Sequence, residues 1–369
     1  MKIGVPKEIK DHEFRVGVTP AGAQALTAAG HELLVQSRVG AAIGFSDDHY
    51  TAVGAKIVAT AAEIYACPMV IKVKEPQVSE LPLLHEGQLL FTYLHLAPDA
   101  EQTRLLLQQK VIGIAYETVT DANGQLPLLI PMSEVAGRLA IQAGATGLQM
   151  INGGRGVLLG GVPGVARGKV VIIGGGVVGT EAAKMALGLG ADVTVLDRSL
   201  QRLRQLDDLF GPALKTRFSE PYALEELLPQ ADLLIGAVLI AGHAAPKLVS
   251  RALVKKMQQG AVIVDVAIDQ GGCIETSRPT SHSVPMYIDE GVVHYCVTNM
   301  PGACARTATM ALTNATLPYA MQLAAEGEMA LRNNAGLRDG LNVYKGQVTH
   351  RAVAESLGYA YVAASGLLK

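Results

Sequence analysis

Three glycines with a fixed spacing are the feature of this chain that points most directly to chemistry. Gly174, Gly176 and Gly179 form the pattern Gly-x-Gly-x-x-Gly. The first glycine of such a pattern permits a tight turn, the second lets the backbone approach a pyrophosphate, and the third lets a helix pack closely on a strand. The apolar run Val170–Ile173 precedes the glycines, and a predicted helix, Val178–Leu189, follows them with free amides at its start. The segment therefore predicts a site for the phosphates of a dinucleotide.

An acidic residue at the end of the next predicted strand narrows the choice of dinucleotide. Val193–Leu196 has the composition of a strand, and Asp197 ends it 18 residues after Gly179, where a carboxylate can accept hydrogen bonds from an adenosine ribose. A carboxylate there repels the 2′-phosphate of NADP, so the sequence favours NAD, although the adjacent Arg198 weakens that preference. The alternative is that the glycines serve only helix-on-strand packing, but packing alone does not call for an acid at this position.

In the N-terminal part, three side chains that could bind and convert a small polar substrate follow predicted strands. Lys74 follows Met69–Val73, His95 follows Leu89–Tyr93, and Arg15 lies in the loop after the first strand. Ligands of parallel sheets bind beyond the carboxyl ends of the strands. An arginine, a lysine and a histidine that converge at one such edge suit a small polar substrate.

In the C-terminal half, we expect three predicted strands to place their carboxyl ends at one edge of a parallel sheet. They are Leu233–Ala237, Val262–Val266 and Val292–Val297. The residues that follow them, and that we expect at the dinucleotide edge, are Val238, Leu239, Ala267, Ile268, Asp269, Thr298, Asn299 and Met300. We expect the two sets of strand ends to form one cleft, with the cofactor on one side and the substrate on the other.

Each of these residues also has an interpretation without function. Arg15 could be a solvated loop charge, Lys74 could form an ordinary surface pair with Glu75, His95 could be a core histidine, and Asp269 could be a turn residue. Their shared position after strands favours the functional interpretation.

The elements that must position these residues alternate along the chain between strands and helices. The predicted N-terminal strands are Lys2–Val5, Glu32–Gln36, Met69–Val73, Leu89–Tyr93 and Val111–Tyr116, and the predicted helices are Ala21–Ala29, Asp47–Val53 and Pro98–Gln109. Such alternation implies a parallel sheet with helices on both faces. We predict an α/β fold with two doubly wound parallel-sheet domains, one Rossmann-like, flanking a cleft.

The length of 369 residues fits two domains. We predict a substrate domain that begins with residues 1–129, an NAD-binding domain at 130–305, and a segment 306–369 that returns to pack on the substrate domain, because about 60 residues are marginal as a domain of their own. The helix Pro131–Gln149 starts the NAD-binding domain, with Ser133 as its expected N-cap, and Thr307–Ala325 is a second long helix.

Composition limits the classes of partner. The net charge is −2 and only 17% of residues are charged, which argues against nucleic acid and membrane surfaces as partners. From residues 1–10 we expect no secretory signal, and the longest apolar stretches are shorter than the roughly 20 residues of a spanning helix. The four cysteines show no metal or disulfide spacing, so we expect free thiols, a cytoplasmic location and no metal.

Several long motifs of the chain resemble bacterial alanine dehydrogenases from end to end. The residues that carry the resemblance are Lys7-Glu8-Ile9-Lys10, Glu13-Phe14-Arg15-Val16, Lys72-Val73-Lys74-Glu75-Pro76, Tyr93-Leu94-His95-Leu96-Ala97, Ala115-Tyr116-Glu117-Thr118, Pro131 to Arg138, Gly160 to Val165, Asp265 to Gly272 and Asn299 to Ala303. Cys304 and Ala308 depart from the pattern, where a valine and a serine are expected.

The resemblance implies reversible oxidative deamination of L-alanine to pyruvate and ammonia with NAD, in a homohexamer. It assigns Arg15 and Lys74 to the substrate and His95 and Asp269 to catalysis. Besides the glycines, it assigns the cofactor to Ser133, Val177, Val178, Asp197, Arg202, Ser219, Val238, Leu239, Ala267, Ile268, Asp269, Arg278, Val297, Thr298, Asn299 and Met300. The alternatives are the nucleotide-binding subunit of a transhydrogenase and a non-catalytic NAD-binding module.

Overall fold

The computed structural model describes residues 1–238 and 245–368. These residues group into two compact units. The first unit comprises Met1–Met132 together with Cys304–Lys369, and the second comprises Ser133–Ala303. The first unit is therefore discontinuous in sequence, whereas the second is one continuous stretch apart from the residues outside the described ranges.

Each unit is built around one sheet. In chain order the strands are β1 (Lys2–Val5), β2 (Glu32–Gln36), β3 (Lys56–Val58), β4 (Met69–Ile71), β5 (Leu89–Thr92), β6 (Ile112–Ala115), β7 (Lys169–Ile173), β8 (Asp192–Asp197), β9 (Lys215–Phe218), β10 (Leu233–Gly236), β11 (Val262–Asp265), β12 (Met286–Asp289), β13 (Val292–Tyr295), β14 (Leu341–Tyr344) and β15 (Gln347–Val348).

Helices connect most of these strands. In chain order they are α1 (Pro20–Ala28), α2 (Asp47–Thr51), α3 (Ala61–Tyr65), α4 (Ala100–Gln108), α5 (Ile130–Gly147), α6 (Val177–Gly188), α7 (Leu200–Phe210), α8 (Pro221–Leu227), α9 (Arg251–Val254), α10 (Ala305–Glu326), α11 (Met329–Asn333), α12 (Ala335–Asp339), α13 (Arg351–Leu357) and α14 (Ala364–Leu367).

The sheet of the first unit has the strand order β15-β14-β6-β5-β4-β1-β2-β3. The six strands from β6 to β3 are parallel, and β14 and β15 extend the sheet with antiparallel pairing. Every residue of β4, β5 and β6 is buried, as expected for parallel strands covered on both faces. The order of connection reverses between β1 and β4, the position at which doubly wound sheets bind ligands.

The sheet of the second unit has the order β12-β13-β11-β10-β7-β8-β9, with β12 as its antiparallel edge. Alternate residues of β7 enter different hydrophobic clusters: Val170 and Ile172 pack on one side, and Val171 and Ile173 on the other. The sheet is thus covered on both faces. Its strand order reverses between β7 and β10.

The structure confirms the predicted α/β fold with two parallel-dominated sheets. The predicted strands Lys2–Val5 and Glu32–Gln36 are found with the same bounds, and the other predicted strands begin or end one to two residues away from the expected positions. Within the described residues no helix has the length and apolar character needed to cross a membrane. All four cysteines are free thiols, three of them buried.

The prediction of Ser133 as a helix N-cap is wrong. Helix α5 begins at Ile130, so Ser133 lies inside its first turn. The reason is Pro131, because a proline fixes a helical φ and lacks only an amide proton that the first turn does not use. The helix therefore starts before the serine.

Candidate active site

In the first unit, Arg15, Lys74 and His95 follow β1, β4 and β5 at the carboxyl edge of the sheet. Two contacts join these loops. Glu8, in the loop after β1, accepts the backbone N–H of Lys74 at 3.3 Å, and the hydroxyl of Thr92, at the end of β5, donates to the Lys74 carbonyl at 2.9 Å. The structure thus brings the loops that carry the predicted substrate residues to one edge.

Arg15 is held by a buried carboxylate. Its Nε and Nη2 donate to Oε1 and Oε2 of Glu13 at 2.7 and 2.5 Å, and its Nη1 lies 3.0 Å from the sulfur of Met132. Both side chains of the ion pair are almost completely buried, at 2% and 0% exposure. Burial opposes the charge, but Glu13 outweighs it and raises the pKa of Arg15. The guanidinium is therefore a charged group with a fixed orientation.

Beneath Lys74 lies a buried network of charges. The Nζ of Lys72 lies 2.8 Å from Oε2 of Glu8 and 3.4 Å from Oε2 of Glu80, and all three side chains are buried. The other oxygen of Glu8 accepts the N–H of Val73 at 2.7 Å as well as that of Lys74. Because breaking a buried ion pair is strongly destabilising, this network fixes the backbone from which Lys74 projects.

His95 has an unusual backbone conformation. Its φ is +48°, and its N–H donates to Oε1 of Glu117 at 2.6 Å. The N–H of Leu94 donates to the same carboxylate at 3.2 Å. The imidazole is 45% exposed, and its Nδ1 lies 3.9 Å from Oε1 of Glu117. The Glu117 carboxylate therefore holds the backbone of His95, while the imidazole ring remains accessible to a ligand.

The ring of Tyr93 packs against His95. The two rings are parallel within 8°, with centroids 5.7 Å apart, and the tyrosine hydroxyl donates to the Leu128 carbonyl at 2.7 Å. Burial raises the pKa of Tyr93 strongly, while the positive charge of Arg15 opposes that rise. Arg15, Tyr93 and His95 are thus neighbours in one electrostatic environment, with the tyrosine neutral.

In the second unit, the three glycines adopt the conformations that a phosphate site requires. Gly174 has φ +102°, which favours glycine, and a Cβ added to Gly179 would lie 1.8 Å from the Gly174 carbonyl oxygen. A Cβ added to Gly176 would meet nothing within 4 Å. Gly176 is also the N-cap of α6, and as a glycine it has no side chain with which to cap the helix. The open space and the helix amides are therefore suited to a phosphate.

Asp197 and Arg202 hold the glycine turn from two sides. Oδ2 of Asp197 accepts the N–H of Gly175 at 2.7 Å, and Oδ1 accepts the N–H of Ser199 at 2.8 Å. Nε of Arg202 donates to the Gly175 carbonyl at 2.6 Å, and its Nη2 donates to the Thr180 hydroxyl at 2.6 Å. Two residues predicted for the cofactor thus also shape the turn.

Asp269 and Asn299 meet at the ends of neighbouring strands. Asp269 lies in the 3-10 helix Val266–Gln270 after β11, and its Oδ1 accepts the N–H of Asn299 at 3.3 Å. Asn299, which follows β13, has φ +58°. Asp269 is exposed, so its carboxylate faces solvent at the carboxyl edge of this sheet.

Arg278 stacks on an aromatic ring at the same sheet. Its guanidinium carbon lies 4.0 Å from the ring centroid of Tyr287, whose hydroxyl oxygen accepts the Arg278 N–H at 2.8 Å. Tyr287 in turn stacks on the buried His294, with centroids 4.9 Å apart. A cation–π contact of this kind orients the arginine while leaving it exposed.

The other predicted cofactor residues differ in exposure. Val177 is exposed, and Val178, Ser219, Val238, Thr298 and Ser133 are half-buried, whereas Ala267, Ile268, Val297 and Met300 are buried. Leu239 lies outside the described residues.

Sequence reasoning missed the acids that support these groups. All four acids, Glu8, Glu13, Glu117 and Asp265, lie inside motifs that carry the resemblance, and Glu8 and Asp265 also lie in the loop after one strand and at the last position of another. The available signal was an acidic residue next to a predicted site residue or at a strand end. No spacing rule, however, says which acid contacts which cation.

Comparison with known proteins assigns both halves of the chain to one family. The family profile "Alanine dehydrogenase/PNT, N-terminal domain" matches residues 4–136, and the profile "Alanine dehydrogenase/PNT, C-terminal domain" matches residues 140–351. The chain is 55% identical to the alanine dehydrogenase of Halomonas elongata over 370 residues, covering 100% of both chains. It is 56% identical to alanine dehydrogenase 2 of Staphylococcus aureus, covering 98% of each.

Solved structures give the same result. A structure described as L-alanine dehydrogenase matches with a TM-score of 0.95 and 52% identity, covering 97% of this chain and 99% of that one. A transhydrogenase from Sinorhizobium meliloti matches with a TM-score of 0.82 at 22% identity, covering 95% of this chain and 100% of that one, which shows a shared fold.

Proposed function

The chain belongs to the alanine dehydrogenase/PNT family, and from this we infer that it is an NAD-dependent L-alanine dehydrogenase. The reaction converts L-alanine, NAD⁺ and water reversibly to pyruvate, ammonium, NADH and a proton. The observation that carries the proposal is the full-length identity of 55% to the alanine dehydrogenase of Halomonas elongata.

The chemistry sets three requirements for the protein. The hydride on Cα of alanine can leave only when the amine is neutral, so that its lone pair forms the iminium. Water must then attack the iminium, and the resulting carbinolamine must lose ammonia to give pyruvate. NAD⁺ supplies the hydride acceptor. The side chains therefore have to hold the substrate carboxylate, move protons and order a water molecule.

We assign the substrate carboxylate to Arg15 and Lys74. The fork of Glu13 fixes the plane of the Arg15 guanidinium, so a bound carboxylate meets a preformed donor surface. The Glu8 carboxylate fixes the backbone of Lys74, whose ammonium can stabilise negative charge on the carboxylate and on the carbonyl oxygen that forms.

We assign proton transfer to His95 and electrostatic support to Asp269. The exposed imidazole of His95 can take the proton from the attacking water and return it to the leaving ammonia. The exposed carboxylate of Asp269 favours the cationic amine and iminium.

We assign NAD to the second unit. The amides of the glycine turn and of α6 fit the pyrophosphate, Asp197 fits the adenosine ribose, and the exposed Arg278 adds a cation near the dinucleotide. We assign the remaining contacts to Ser133, Arg202 and Ser219 and to the residues that follow the strands of this unit.

The same proposal covers domains and assembly. We assign residues 1–129 and 306–369 to the substrate domain and residues 130–305 to the NAD domain. We further propose a cytoplasmic homohexamer, consistent with the absence of disulfides among the described residues. Sedimentation velocity measures the assembly directly, and a monomer or dimer contradicts it.

One experiment tests the reaction. NADH absorbance is followed with pyruvate and ammonium, each omitted in turn, and we expect oxidation only in the complete mixture. Oxidation without ammonium indicates a 2-hydroxy-acid dehydrogenase instead. Oxidation by a second nicotinamide nucleotide without pyruvate indicates a transhydrogenase. Calorimetric NADH binding without turnover in any mixture indicates a non-catalytic binding module.

A further inference from the structure

A second aspartate lies at the base of the segment that carries Asp269. Asp265 is the last residue of β11 and is 0% exposed. Its carboxylate accepts the backbone N–H of Ala267 at 3.2 Å, of Cys273 at 3.0 Å and of Ile274 at 3.3 Å. One buried carboxylate therefore closes the loop 266–274 by bonding to both of its ends.

Two glycines provide room for this carboxylate because they have no side chains. A Cβ added to Gly236, at the end of the neighbouring strand β10, would lie 2.9 Å from Oδ1 of Asp265, and a Cβ added to Gly272 would lie 2.6 Å from Oδ2. Gly271 and Gly272 have φ values of +89° and +74°, so the loop also turns through glycine conformations. The carboxylate is enclosed and has little freedom to rotate.

An ionisable group in this position is costly unless it is hydrogen-bonded. Burial raises the pKa of Asp265, and the surrounding donors oppose that rise. The three backbone donors suit an acceptor with two oxygens, whereas an asparagine would turn an NH₂ group towards one of them. The arrangement stabilises a particular path of the loop.

We propose that Asp265 is a positioning residue, which fixes the loop 266–274 and thereby holds the backbone of Ala267 and Ile268 and the carboxylate of Asp269 ready for hydride transfer. The proposal rests on the function inferred above, since it concerns the loop assigned to NAD and to catalysis. Asp265 itself is buried, and it acts on the reacting atoms only through the loop that it orders.

The same unit offers a matched control. Asp232 is also a buried carboxylate, it directly precedes β10, and it accepts the backbone N–H of Lys169 and Nη1–H of the Arg155 side chain, each at 2.8 Å. It lies at the amino edge of the sheet, away from the strand ends assigned to the cofactor. Asp265→Asn and Asp232→Asn thus each remove one buried charge that accepts a backbone N–H, and Asp232→Asn also breaks an ion pair with Arg155.

The test compares the two variants in the full-length protein. In Asp265→Asn we expect faster hydrogen–deuterium exchange of the amides in 266–274 without any ligand, and a fall in kcat of about a hundredfold. The primary isotope effect with alanine deuterated at Cα should rise as well, because hydride transfer becomes slower. In Asp232→Asn we expect faster exchange near Lys169 and a kcat close to that of the wild type.

The proposal is overturned if hydrogen–deuterium exchange in 266–274 is the same in Asp265→Asn as in the wild type. It is also overturned if Asp265→Asn and Asp232→Asn have equal thermal unfolding midpoints and lose kcat equally. If Asp265→Asn does not fold, Asp265→Ser, which is smaller and keeps one acceptor, takes its place. If neither variant folds, fast exchange of the Ala267, Cys273 and Ile274 amides in the wild type overturns the proposal, and slow exchange of all three supports it. A wild-type protein without alanine turnover refutes the proposed function instead, while the exchange measurement still decides whether Asp265 orders the loop.

Discussion

The carboxylate oxygen Oε1 of Glu117 accepts the backbone N–H of His95 at 2.6 Å and lies 3.9 Å from Nδ1 of the same histidine. The distance to Nδ1 is longer than a hydrogen bond, so Glu117 hydrogen-bonds to the backbone of His95 and not to its ring. A residue other than glycine with φ +48° carries a strain of about 1–3 kcal/mol. The carboxylate offsets that strain and fixes the direction in which the imidazole points.

We therefore expect Glu117→Ala to lower kcat by about tenfold or more, because a displaced base loses its alignment with the substrate. Glu117→Gln should restore most of the activity, since its amide oxygen can still accept the N–H. NADH affinity should stay unchanged in both variants. His95→Ala serves as the reference, because it shows how much activity remains without the imidazole. Steady-state kinetics and fluorescence titration measure these quantities, and a wild-type kcat in Glu117→Ala contradicts the role.

A second prediction concerns the fork between Glu13 and Arg15. Glu13→Gln leaves a buried arginine without its counterion, which should cost about 3 kcal/mol in the free energy of unfolding. The KM for pyruvate should rise by about tenfold, while kcat changes less, because the carboxylate site loses its fixed donor plane. Urea unfolding and initial rates measure the two effects.

The control for that prediction is an exposed pair with the same geometry. Nε and Nη2 of Arg104 donate to the two oxygens of Glu101 at 2.9 and 2.6 Å on the surface of α4. Glu101→Gln should change neither stability nor KM measurably, because water screens the pair. If Glu13→Gln behaves like Glu101→Gln, the buried fork has no role in binding.

Alanine substitutions at three glycines of the turn and of α6 should distinguish effects on stability from effects on NADH binding. Gly179→Ala should destabilise the protein by about 3 kcal/mol and abolish NADH binding, since its Cβ would lie 1.8 Å from a carbonyl oxygen. Gly176→Ala should unfold like the wild type but bind NADH at least about tenfold more weakly. Gly188→Ala, which also meets nothing within 4 Å, should leave NADH binding unchanged. Unaltered NADH binding by Gly176→Ala would mean that the glycines serve packing alone.

Asp197 should decide between the two nicotinamide dinucleotides. Its carboxylate is held by two backbone N–H groups and cannot turn away from a 2′-phosphate. Asp197→Asn removes the negative charge, and the ratio of kcat/KM for NADP over NAD should rise by about tenfold. Asp192→Asn, at the other end of β8, is the control and should leave the ratio unchanged. An unchanged ratio in Asp197→Asn places the discrimination elsewhere.

The pH dependence of stability should report on His294. Its Nδ1 lies 2.9 Å from the Val292 carbonyl oxygen, so Nδ1 carries the proton and Nε2 accepts the Thr276 hydroxyl at 2.7 Å. Burial lowers the pKa of His294 below the ordinary value of 6.5. The folded state then binds fewer protons than the unfolded state, so stability falls as pH drops below 6.5 towards the folded pKa.

Urea unfolding between about pH 8 and pH 5 measures this dependence. The loss of stability below pH 6.5 should be smaller in His294→Gln than in the wild type. His85→Gln, which changes an exposed histidine, should keep the wild-type slope. Equal slopes in all three proteins contradict the assignment.

The sequence predicts the central parallel strands well because their composition follows from burial on both faces. Strands at sheet edges are harder to predict. β9 has no buried residue, and β15 has only two residues. β14 becomes a strand by pairing with β6, and no local pattern announces a partner so distant in the chain. Ser133 shows the opposite error, because a good local signal for a cap was overruled by a proline two residues earlier.

For the site, chain order was sufficient to place Arg15, Lys74 and His95 at strand ends, because parallel strands present their carboxyl ends at one edge. It could not assign partners to them. Whether Glu13, Glu75 or Glu8 pairs with a given cation depends on the path of each loop in space. Supporting acids of this kind become visible only when distances are known.

The discontinuity of the first unit has a consequence for the order in which the chain is made. Residues 133–303 form the second unit, and the ribosome synthesises them before it synthesises β14 and β15. Until those strands appear, β6 presents an unpaired edge of buried, apolar residues. The nascent protein thus carries only six of the eight strands of the first sheet throughout the synthesis of the second domain, and loss of the last two strands would leave that edge open to aggregation.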